Sequence, residues 1–420
     1  MPARNDPSGP DQYDRMQMSP ELETGPNVYH DPPSAQSFAL TVVIIDPFGK
    51  HSGHHYYVGA LATALCAHGA RVLVHVTEQT GVTGVEPYEA TVSFGQLYGP
   101  EPAWKRGIRY VRGMIRAMIS ARKRGAQVVN LHIFNFDLRD AFAAWLARLL
   151  GMKAVLTLHD VENFGKQSHR LMRRLTLAGG NGYILHNAYS YSSFQNTKCD
   201  QHKPVAVLPH GHYCNSFASV PSRKQARCDL GLPLDTPIFL FFGNSRHEKG
   251  LDLLIEACGN LSAQEDWLLL IAGKMKPHLY AYYSALAQCN DPGGHMRIDA
   301  KHISDEETAA YYRAADLVVV PYRSIYESGV TIMAMSLGRA LLVSDLPPLV
   351  DSIAGGQAGL IFASEDRVAL TAALENALDR RAELDHIGEC GYRHVRDVRD
   401  WGKIGASTLD FLQKIRRPSK

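Results

Sequence analysis

Apolar positions between residues 315 and 345 follow a strand, loop, helix, strand order. The run from Asp316 to Val320 is too continuously apolar to have a solvated face, which is typical of a strand in a parallel sheet covered on both sides. Pro321 ends this strand because proline has no N–H to donate to the ladder. The pattern therefore predicts an α/β fold.

The helix of this unit is predicted to begin at Ser328, a favourable N-cap residue. Gly329 allows a ligand to approach the backbone, and the N–H groups of Ser328, Gly329 and Val330 are expected to point outward. These features predict an anion site, most naturally for phosphate. Gly338 is expected to end the helix as a left-handed glycine.

The same alternation predicts a first α/β domain over residues 38–212. An apolar strand starts at Ala39, a helix runs from Gly53 to about His68, and a second strand covers Arg71 to His75. The first loop is not the G-x-G-x-x-G of a dinucleotide site. A phosphate or a sugar ring could still approach at Gly53.

The remainder of the first domain contains a second candidate site. Residues 77–100 are polar and turn-rich, and no strand is predicted there. Strands are expected at Val128 to Leu131 and at Ala154 to Leu158, and the second leads into His159 and Asp160. Ligands of open α/β sheets bind at this carboxyl edge, so both side chains are candidates for substrate contact.

A second α/β domain is predicted over residues 213–398, after a linker around residues 213–235. Its strand from Ile238 to Phe242 leads into the loop from Gly243 to Gly250, and a later strand leads to Gly273. Both glycines stand at strand ends, where a ligand can come close to the backbone.

The helix predicted at residues 101–124 carries an apolar stripe that is expected to be buried. The stripe consists of Trp104, Ile108, Val111, Ile115 and Met118. Between residues 101 and 125 the chain has eight basic residues and one acidic residue. Two interpretations of the basic face stay open: a solvated surface, or a surface that meets anionic lipid or a lipid-linked diphosphate.

Composition changes this picture only at a few points. The 420 residues include 44 basic and 42 acidic ones, so no general attraction to nucleic acid is expected. The seven cysteines form no C-x-x-C pair, which indicates neither a disulfide framework nor a zinc site and favours the cytoplasm. No spanning segment or signal peptide is predicted, and residues 1–37 are expected to form a disordered tail.

Three stretches together resemble the retaining family 4 glycosyltransferases of the GT-B fold, particularly bacterial enzymes that assemble exopolysaccharide or lipopolysaccharide. They are the Gly53-His54-His55 loop, the Gly243 to Gly250 loop with Lys249, and the helix from Tyr326 to Gly338. The resemblance covers residues 39–415 and implies two Rossmann-like domains that face a cleft. In such a fold residues 399–420 would form a helix that crosses back onto the first domain.

The resemblance also implies an activity. The enzyme would transfer a hexose of mannose or glucose type, with retention, from a nucleoside diphosphate sugar held by the second domain. The acceptor, a polyprenyl diphosphate-linked glycan or an oligosaccharide, would bind the first domain. GDP-mannose is favoured over UDP-hexose as co-substrate, no other cofactor is expected, and the protein could lie peripherally on the inner face of the cell membrane.

Sugar transfer leaves negative charge on the departing phosphate, so fixed positive groups are required. Arg246 and Lys249 are the candidates, together with the N–H groups of the 328–330 turn. The resemblance places His159 near the reacting carbon and makes Glu327 a donor-sugar contact. Asp160 is expected to orient the His159 ring or to bind the acceptor.

Some positions differ from the pattern of the family. Met333 stands where many relatives have a second glutamate that binds ribose, and Asn244 stands where an arginine often follows the glycine. One of His54 and His55 is expected to face the cleft. The chain has no D-x-D motif, which predicts that no metal ion is needed.

Two alternatives to the transferase stay open. A nucleotide-sugar 2-epimerase shares the two-domain fold but would act on the sugar nucleotide alone. A non-catalytic partner protein could also keep the fold, and the missing second glutamate is the feature that suggests it.

Overall fold

The structure, a computed structural model, describes residues 38–49, 53–80, 84–162, 170–197, 202–261, 266–291 and 293–417. The tail predicted at residues 1–37 lies outside the described residues. The described chain folds around two parallel β-sheets, each flanked by helices.

The first sheet has seven strands, and helices connect most of them. The strands are β1 (Thr41–Ile45), β2 (Arg71–Thr77), β3 (Glu89–Phe94), β4 (Val128–Ile133), β5 (Lys153–Leu158), β6 (Gly182–Leu185) and β7 (Val205–Val207). The helices are α1 (His54–Ala67), α2 (Ala103–Lys123), α3 (Leu138–Leu149), α4 (Arg170–Gly179) and α5 (Ala188–Asn196). The strand order is β3-β2-β1-β4-β5-β6-β7, and all neighbours are parallel.

The second sheet has six strands. They are β8 (Ile238–Phe242), β9 (Leu268–Ala272), β10 (Met296–Asp299), β11 (Leu317–Val320), β12 (Ala340–Ser344) and β13 (Leu360–Phe362), in the order β10-β9-β8-β11-β12-β13. The helices are α6 (Arg223–Leu230), α7 (Leu251–Cys258), α8 (Pro277–Asn290), α9 (Asp305–Ala314), α10 (Gly329–Ser336), α11 (Pro347–Ser352), α12 (Arg367–Asp379), α13 (Arg381–Val398) and α14 (Trp401–Arg416).

Residues 77–100, for which the sequence predicts no element, contain the strand β3. Strand β3 pairs with β2 at the edge of the first sheet, and most of its residues are only partly covered. An edge strand has less apolar surface to bury, so its sequence lacks the continuous apolar run of the central strands. Helix α6, in the expected linker, was also missed, although Ser222 caps its start and Gly231 ends it at φ 61°.

The expected burial of the apolar stripe on α2 is wrong for four of its five residues. Trp104, Ile108, Val111 and Ile115 are 64%, 43%, 41% and 36% exposed, and Met118 is buried.

Small residues decide instead which face of α2 meets the sheet. A Cβ on Gly113 would collide with the ring of Phe94, and Ala117 and Ala121 are fully buried on the same face. Close contact between helix and strand is available only on this side, so the larger apolar side chains are turned toward solvent.

Helix α14 returns to the first sheet and packs against α1. A Cβ on Gly405 would lie 2.7 Å from the Cβ of Ala64, so glycine permits the close approach of the two helices. At the start of α14, the indole of Trp401 lies against Gly211 and donates a hydrogen bond to the carbonyl of His212 at 2.7 Å.

A buried ion pair anchors α6 to the second sheet. The Arg227 guanidinium donates to Asp316 Oδ2 at 2.7 Å, and further donates to the carbonyls of Ala314 and Thr236 at 3.0 Å. The same carboxylate accepts from the N–H of Ile238 at 2.7 Å, so it joins the starts of two strands. Arg227 and Asp316 are almost fully buried.

We expect Arg227→Met to lower the free energy of unfolding by roughly 3 kcal/mol, because it leaves the Asp316 carboxylate buried without its main partner. Urea denaturation followed by circular dichroism measures the change. Arg367→Met is the control, since Arg367 is half exposed and pairs with Glu256 at 3.6 Å on the surface. The control should change stability by less than about 0.5 kcal/mol. Equal effects of the two substitutions would contradict the assignment.

Candidate active site

The ends of β8 and β9 bring two glycine backbones together. Gly243 (φ 112°) and Gly273 (φ 148°) have backbone conformations that favour glycine. A Cβ on Gly273 would collide with the carbonyl of Gly243, so the two strand ends approach more closely than side chains allow. This contact explains the glycine at position 273, and the positive φ explains the glycine at position 243. The predicted contact of both with substrate stays a prediction.

Lys249 lies in a short 3₁₀ turn, His247–Lys249, between the β8 loop and α7. Its ammonium stands 3.7 Å from the centre of the Tyr322 ring. Loss of hydration lowers the pKa of Lys249 to about 7, and the positive charge of Arg246 acts in the same direction. Arg246 itself is exposed. The two cations predicted from the sequence are therefore close enough to act on each other.

The helix start predicted at Ser328 is confirmed. Ser328 Oγ accepts a hydrogen bond from the N–H of Thr331 at 3.3 Å, and α10 begins at Gly329. The first N–H groups of a helix have no acceptor within it, and the helix dipole adds positive potential there. A Cβ on Gly243 would lie 4.0 Å from the side chain of Val330, so this helix start lies beside the β8 loop.

Four histidines stand in a row along the carboxyl edge of the first sheet. His132 belongs to β4, and His159, His186 and His210 follow β5, β6 and β7. All four are buried. His132 Nδ1 lies 3.1 Å from His159 Nε2, and His159 Nδ1 lies 3.1 Å from His186 Nε2. The first three rings therefore form one hydrogen-bonded chain.

The end of this chain determines where its protons are. His186 Nδ1 lies 3.1 Å from the carbonyl oxygen of Leu208, which can only accept, so this nitrogen carries the proton. His186 Nε2 then accepts from His159, and His159 Nε2 accepts from His132. Burial lowers the pKa of all three imidazoles, in agreement with neutral rings. The His159 ring is also stacked on Phe134, with centroids 4.3 Å apart.

Asp160 does not orient the His159 ring, because both ring nitrogens have imidazole partners. That part of the prediction is wrong. Burial raises the pKa of Asp160 to about 6, and the charges of Arg246 and Lys249 oppose this shift. The carboxyl edge of the first sheet therefore faces the β8 loop of the second. A contact between Asp160 and the acceptor stays a prediction.

The two histidines at the start of α1 have different surroundings. His54 packs into the histidine row, with its ring centre 4.5 Å from that of His132 and 5.3 Å from that of His159. His55 Nε2 lies 3.0 Å from the carboxylate of Asp305 in α9, so it reaches the second sheet. Gly53 precedes both and has open space where a Cβ would lie, apart from Tyr56 at 4.0 Å.

A metal ion could be held where His54, His132 and His159 meet, since each offers a nitrogen and these atoms lie within 4.8 Å of one another. Burial lowers the pKa of these imidazoles, and the neutral form is the one that binds metals. The hydrogen-bonded chain accounts for the ring orientations without an ion, because it occupies both nitrogens of His159. The metal independence expected from the sequence stays a prediction.

Glu327 lies in a network that connects the two sheets. Its carboxylate is 3.4 Å from the guanidinium of Arg399 and 3.4 Å from the amide nitrogen of Asn187, which caps α5. Asn187 also donates to the carbonyl of Tyr326 at 2.6 Å. Arg399 donates to the carbonyl of His210 at 3.0 Å. Arg399 and Asn187 therefore hold the Glu327 carboxylate in place. The contact of Glu327 with the donor sugar stays a prediction.

Met333, at the place of the second glutamate, is buried in the apolar core of the second sheet. Its side chain lies among apolar neighbours, so α10 presents no carboxylate at this position. Asn244 is exposed in the β8 loop.

Sequence reasoning did not find His132, His186, His210, Asn187 or Arg399. A signal for the histidines was present, because each stands at or just after the end of a strand of the same sheet. Parallel strands end at one edge, so residues at equivalent ends become neighbours. For Arg399 no comparable signal exists, since its partners come from distant segments.

The sequence of the chain is similar to the sequences of several glycosyltransferases. Residues 222–394, which contain the second sheet, match the family Glycosyl transferases group 1. The chain is 26% identical to a D-inositol 3-phosphate glycosyltransferase of Kineococcus radiotolerans, over 50% of this chain and 52% of that protein. It is 29% identical to the lipopolysaccharide core biosynthesis mannosyltransferase LpsB of Rhizobium meliloti, over 43% and 52%. The chain thus spans about half the length of these curated relatives.

The fold itself is similar over almost the whole chain to solved structures. Sucrose-phosphate synthase from Thermosynechococcus elongatus superimposes with a TM-score of 0.73 at 19% identity, covering 90% of this chain and 99% of that chain. The predicted fold, two Rossmann-like α/β domains in the GT-B arrangement, is confirmed.

We expect the affinity for a nucleoside diphosphate to fall as pH rises from 7 to 9. The pKa of Lys249 is about 7 in the folded protein, so its ammonium is present below pH 7 and is lost above it. Isothermal titration with GDP and UDP measures this dependence. Lys249→Arg keeps the charge throughout the interval and should bind with little pH dependence. The same alkaline loss in the arginine variant would contradict the assignment.

Proposed function

We propose that this protein is a retaining hexosyltransferase that uses a nucleoside diphosphate sugar. The observation that carries the proposal is the meeting of two sets of groups at facing strand ends. The second sheet contributes Lys249, Arg246 and the start of α10, and the first contributes His159 and Asp160. The coupling of the Asp160 charge to both cations supports one shared site.

The positive groups of the second sheet suit the leaving diphosphate. When the bond from the sugar to phosphate breaks, charge accumulates on the phosphate oxygens, and Lys249, Arg246 and the N–H groups of Gly329 and Val330 would stabilise it. The acceptor hydroxyl forms the new bond to the anomeric carbon and gives its proton to an oxygen of the departing diphosphate, which keeps the electron pair of the broken bond. His159, neutral and held rigidly by its neighbours, would lie against the sugar. Retention is proposed from the resemblance to family 4 enzymes.

For the donor we propose GDP-mannose ahead of UDP-hexose, and for the acceptor a polyprenyl diphosphate-linked glycan or an oligosaccharide in exopolysaccharide assembly. The similarity of the chain to a lipopolysaccharide core mannosyltransferase supports the choice of sugar and of glycan.

The exposed face of α2 supports a peripheral contact with an anionic membrane surface. Trp104, Ile108, Val111 and Ile115 face solvent on a helix that also carries many basic residues. Apolar side chains bordered by cations are the combination by which amphipathic helices bind anionic bilayers. Among the helices of the described ranges, none is both long and apolar enough to cross a membrane.

The activity test combines GDP-mannose or UDP-glucose with polyprenyl diphosphate-linked glycans. We expect transfer of the hexose, and nuclear magnetic resonance of the product should show the anomeric configuration of the donor. Incubation with the donor alone is the control, since rearranged sugar nucleotide without an acceptor would indicate the epimerase instead.

Lys249→Ala should lower kcat by about 10²–10³-fold, because it removes a charge that stabilises the leaving group.

Activity of the wild-type protein should persist in excess EDTA, since fixed cations take the place of a metal ion. Loss of all activity with the chelator, restored by a divalent ion, would contradict this assignment.

The double variant Trp104→Glu, Ile108→Glu should reduce co-sedimentation with vesicles of phosphatidylglycerol and phosphatidylcholine at least tenfold, because it removes apolar contact and adds negative charge. Val368→Glu is the matched control, since Val368 is an exposed apolar residue on α12. Equal binding of both variants would argue against a role of α2.

A further inference from the structure

A cavity of about 260 Å³ opens at the carboxyl edge of the first sheet, apart from the cation site of the second. It lies between α2, α3 and the ends of β1 and β4. Four aromatic rings form much of its wall: Phe48, Tyr98, Tyr110 and Phe134. Flat aromatic faces beside a few polar groups are a lining that accepts the apolar faces of a sugar ring and orients its hydroxyls.

The acidic side chains of the cavity are already compensated. Asp137 caps α3 and receives hydrogen bonds from the Arg139 guanidinium, one of them at 2.9 Å from Nε. Asp140 accepts from the N–H of Asp137 at 3.2 Å. Burial and the neighbouring Asp137 charge raise the pKa of Asp140 to about 8. In its protonated form this carboxyl group can donate a hydrogen bond to a hydroxyl group.

Arg106 is the exception, because its charge has no acidic partner. It lines the cavity from α2, and its guanidinium donates a long hydrogen bond, 3.4 Å, to the carbonyl of Gly99. No carboxylate lies within 4.0 Å of its guanidinium in the ranges that the structure describes, and its Nε is buried without an acceptor. A partly buried guanidinium without a counter-charge favours an anionic ligand.

The cavity is adjacent to the transfer site. His132 and Phe134 belong to its wall, and the same two rings contact His159 through the 3.1 Å hydrogen bond and the 4.3 Å stack. On its other side the cavity is bounded by the first turns of α2, next to the exposed Trp104 and Ile108. A ligand here would lie between the membrane-facing helix and the histidine row.

We propose that this cavity binds an anionic sugar unit of the acceptor, with the ring against the aromatic wall and its carboxylate or phosphate on Arg106. The inference rests on the proposed transferase function and names the acceptor chemistry of that site. A uronic acid and a sugar phosphate both present negative charge to Arg106, and the probes below separate them.

Direct binding tests the proposal without sugar transfer. The full chain, with GDP present, is titrated with methyl glucuronide, methyl galacturonide, glucose 1-phosphate, mannose 1-phosphate, methyl glucoside and methyl mannoside, followed by nuclear magnetic resonance or calorimetry. We expect at least one anionic sugar to bind tenfold or more tightly than its neutral counterpart. Binding of a uronide alone assigns a carboxylate, and binding of a sugar phosphate alone assigns a phosphate. Equal affinities, or no binding by any probe, would overturn the proposal.

Two substitutions in the cavity wall test whether the anionic sugar binds there. Arg106→Gln should weaken the anionic probe tenfold or more, while Arg112→Gln, an exposed arginine of the same helix, should not change it. Gly107→Phe should block the cavity, since a Cβ at Gly107 meets no atom within 4 Å and the ring can extend into the space it lines. Equal losses in both arginine variants would indicate general charge attraction and contradict the assignment.

The affinity of each variant for GDP distinguishes a failure of the cavity proposal from a failure of the proposed transferase function. All three should bind GDP like the wild-type protein, because the substituted residues lie on α2 beside the first sheet, whereas Lys249 follows β8 of the second. Retained sugar binding without any transfer activity would count against the transferase function while leaving the cavity assigned. Transfer activity that is unaffected by Arg106→Gln and Gly107→Phe would count against the cavity alone.

Discussion

The buried guanidinium of Arg399 holds the site together, because it binds groups from both sheets at the point where the chain returns to the first one. It donates to the carbonyl of His210 and to Ser352 Oγ, and it pairs with the Glu327 carboxylate. Its own carbonyl accepts from the N–H of His212. One residue thus connects the histidine row, the loop before α10 and the start of α14. The proposed catalytic groups lie on separate sheets, so their distance depends on contacts of this kind.

The two sheets differ in the charge that they bring to the site: the histidine row of the first is neutral and the cation site of the second is positive. The first contributes a row of neutral imidazoles, whose protons are ordered by one backbone carbonyl at the end of the chain. The second contributes cations and a helix start. A neutral, rigid surface beside a positive one would suit the proposed reaction, in which charge develops on the phosphate side. Met333 agrees with this division, since its buried apolar side chain brings no carboxylate to α10 at that position.

Helix α2 shows how one amphipathic sequence can be assigned to the wrong face. Its large apolar residues and its small ones both recur at helical spacing, and either set could form the buried face. The small set is buried because Gly113, Ala117 and Ala121 allow the helix to approach β3 closely. All of the large stripe except Met118 then remains on the surface beside the basic residues. The exposed stripe is therefore a consequence of packing.

The sequence by itself determined the α/β class, most central strands, the N-cap at Ser328, the glycine at 338 and the candidate cations of the β8 loop. These follow from local rules, because apolar runs, caps and left-handed glycines act within a few residues. The tertiary structure alone decided the edge strand β3, the orientation of α2, the histidine chain and the pairing of Glu327 with Arg399. Each of these depends on groups that are far apart in the chain and meet only when the sheets form. For the histidines the strand ends are a local signal, but only the order of the strands decides which rings become neighbours.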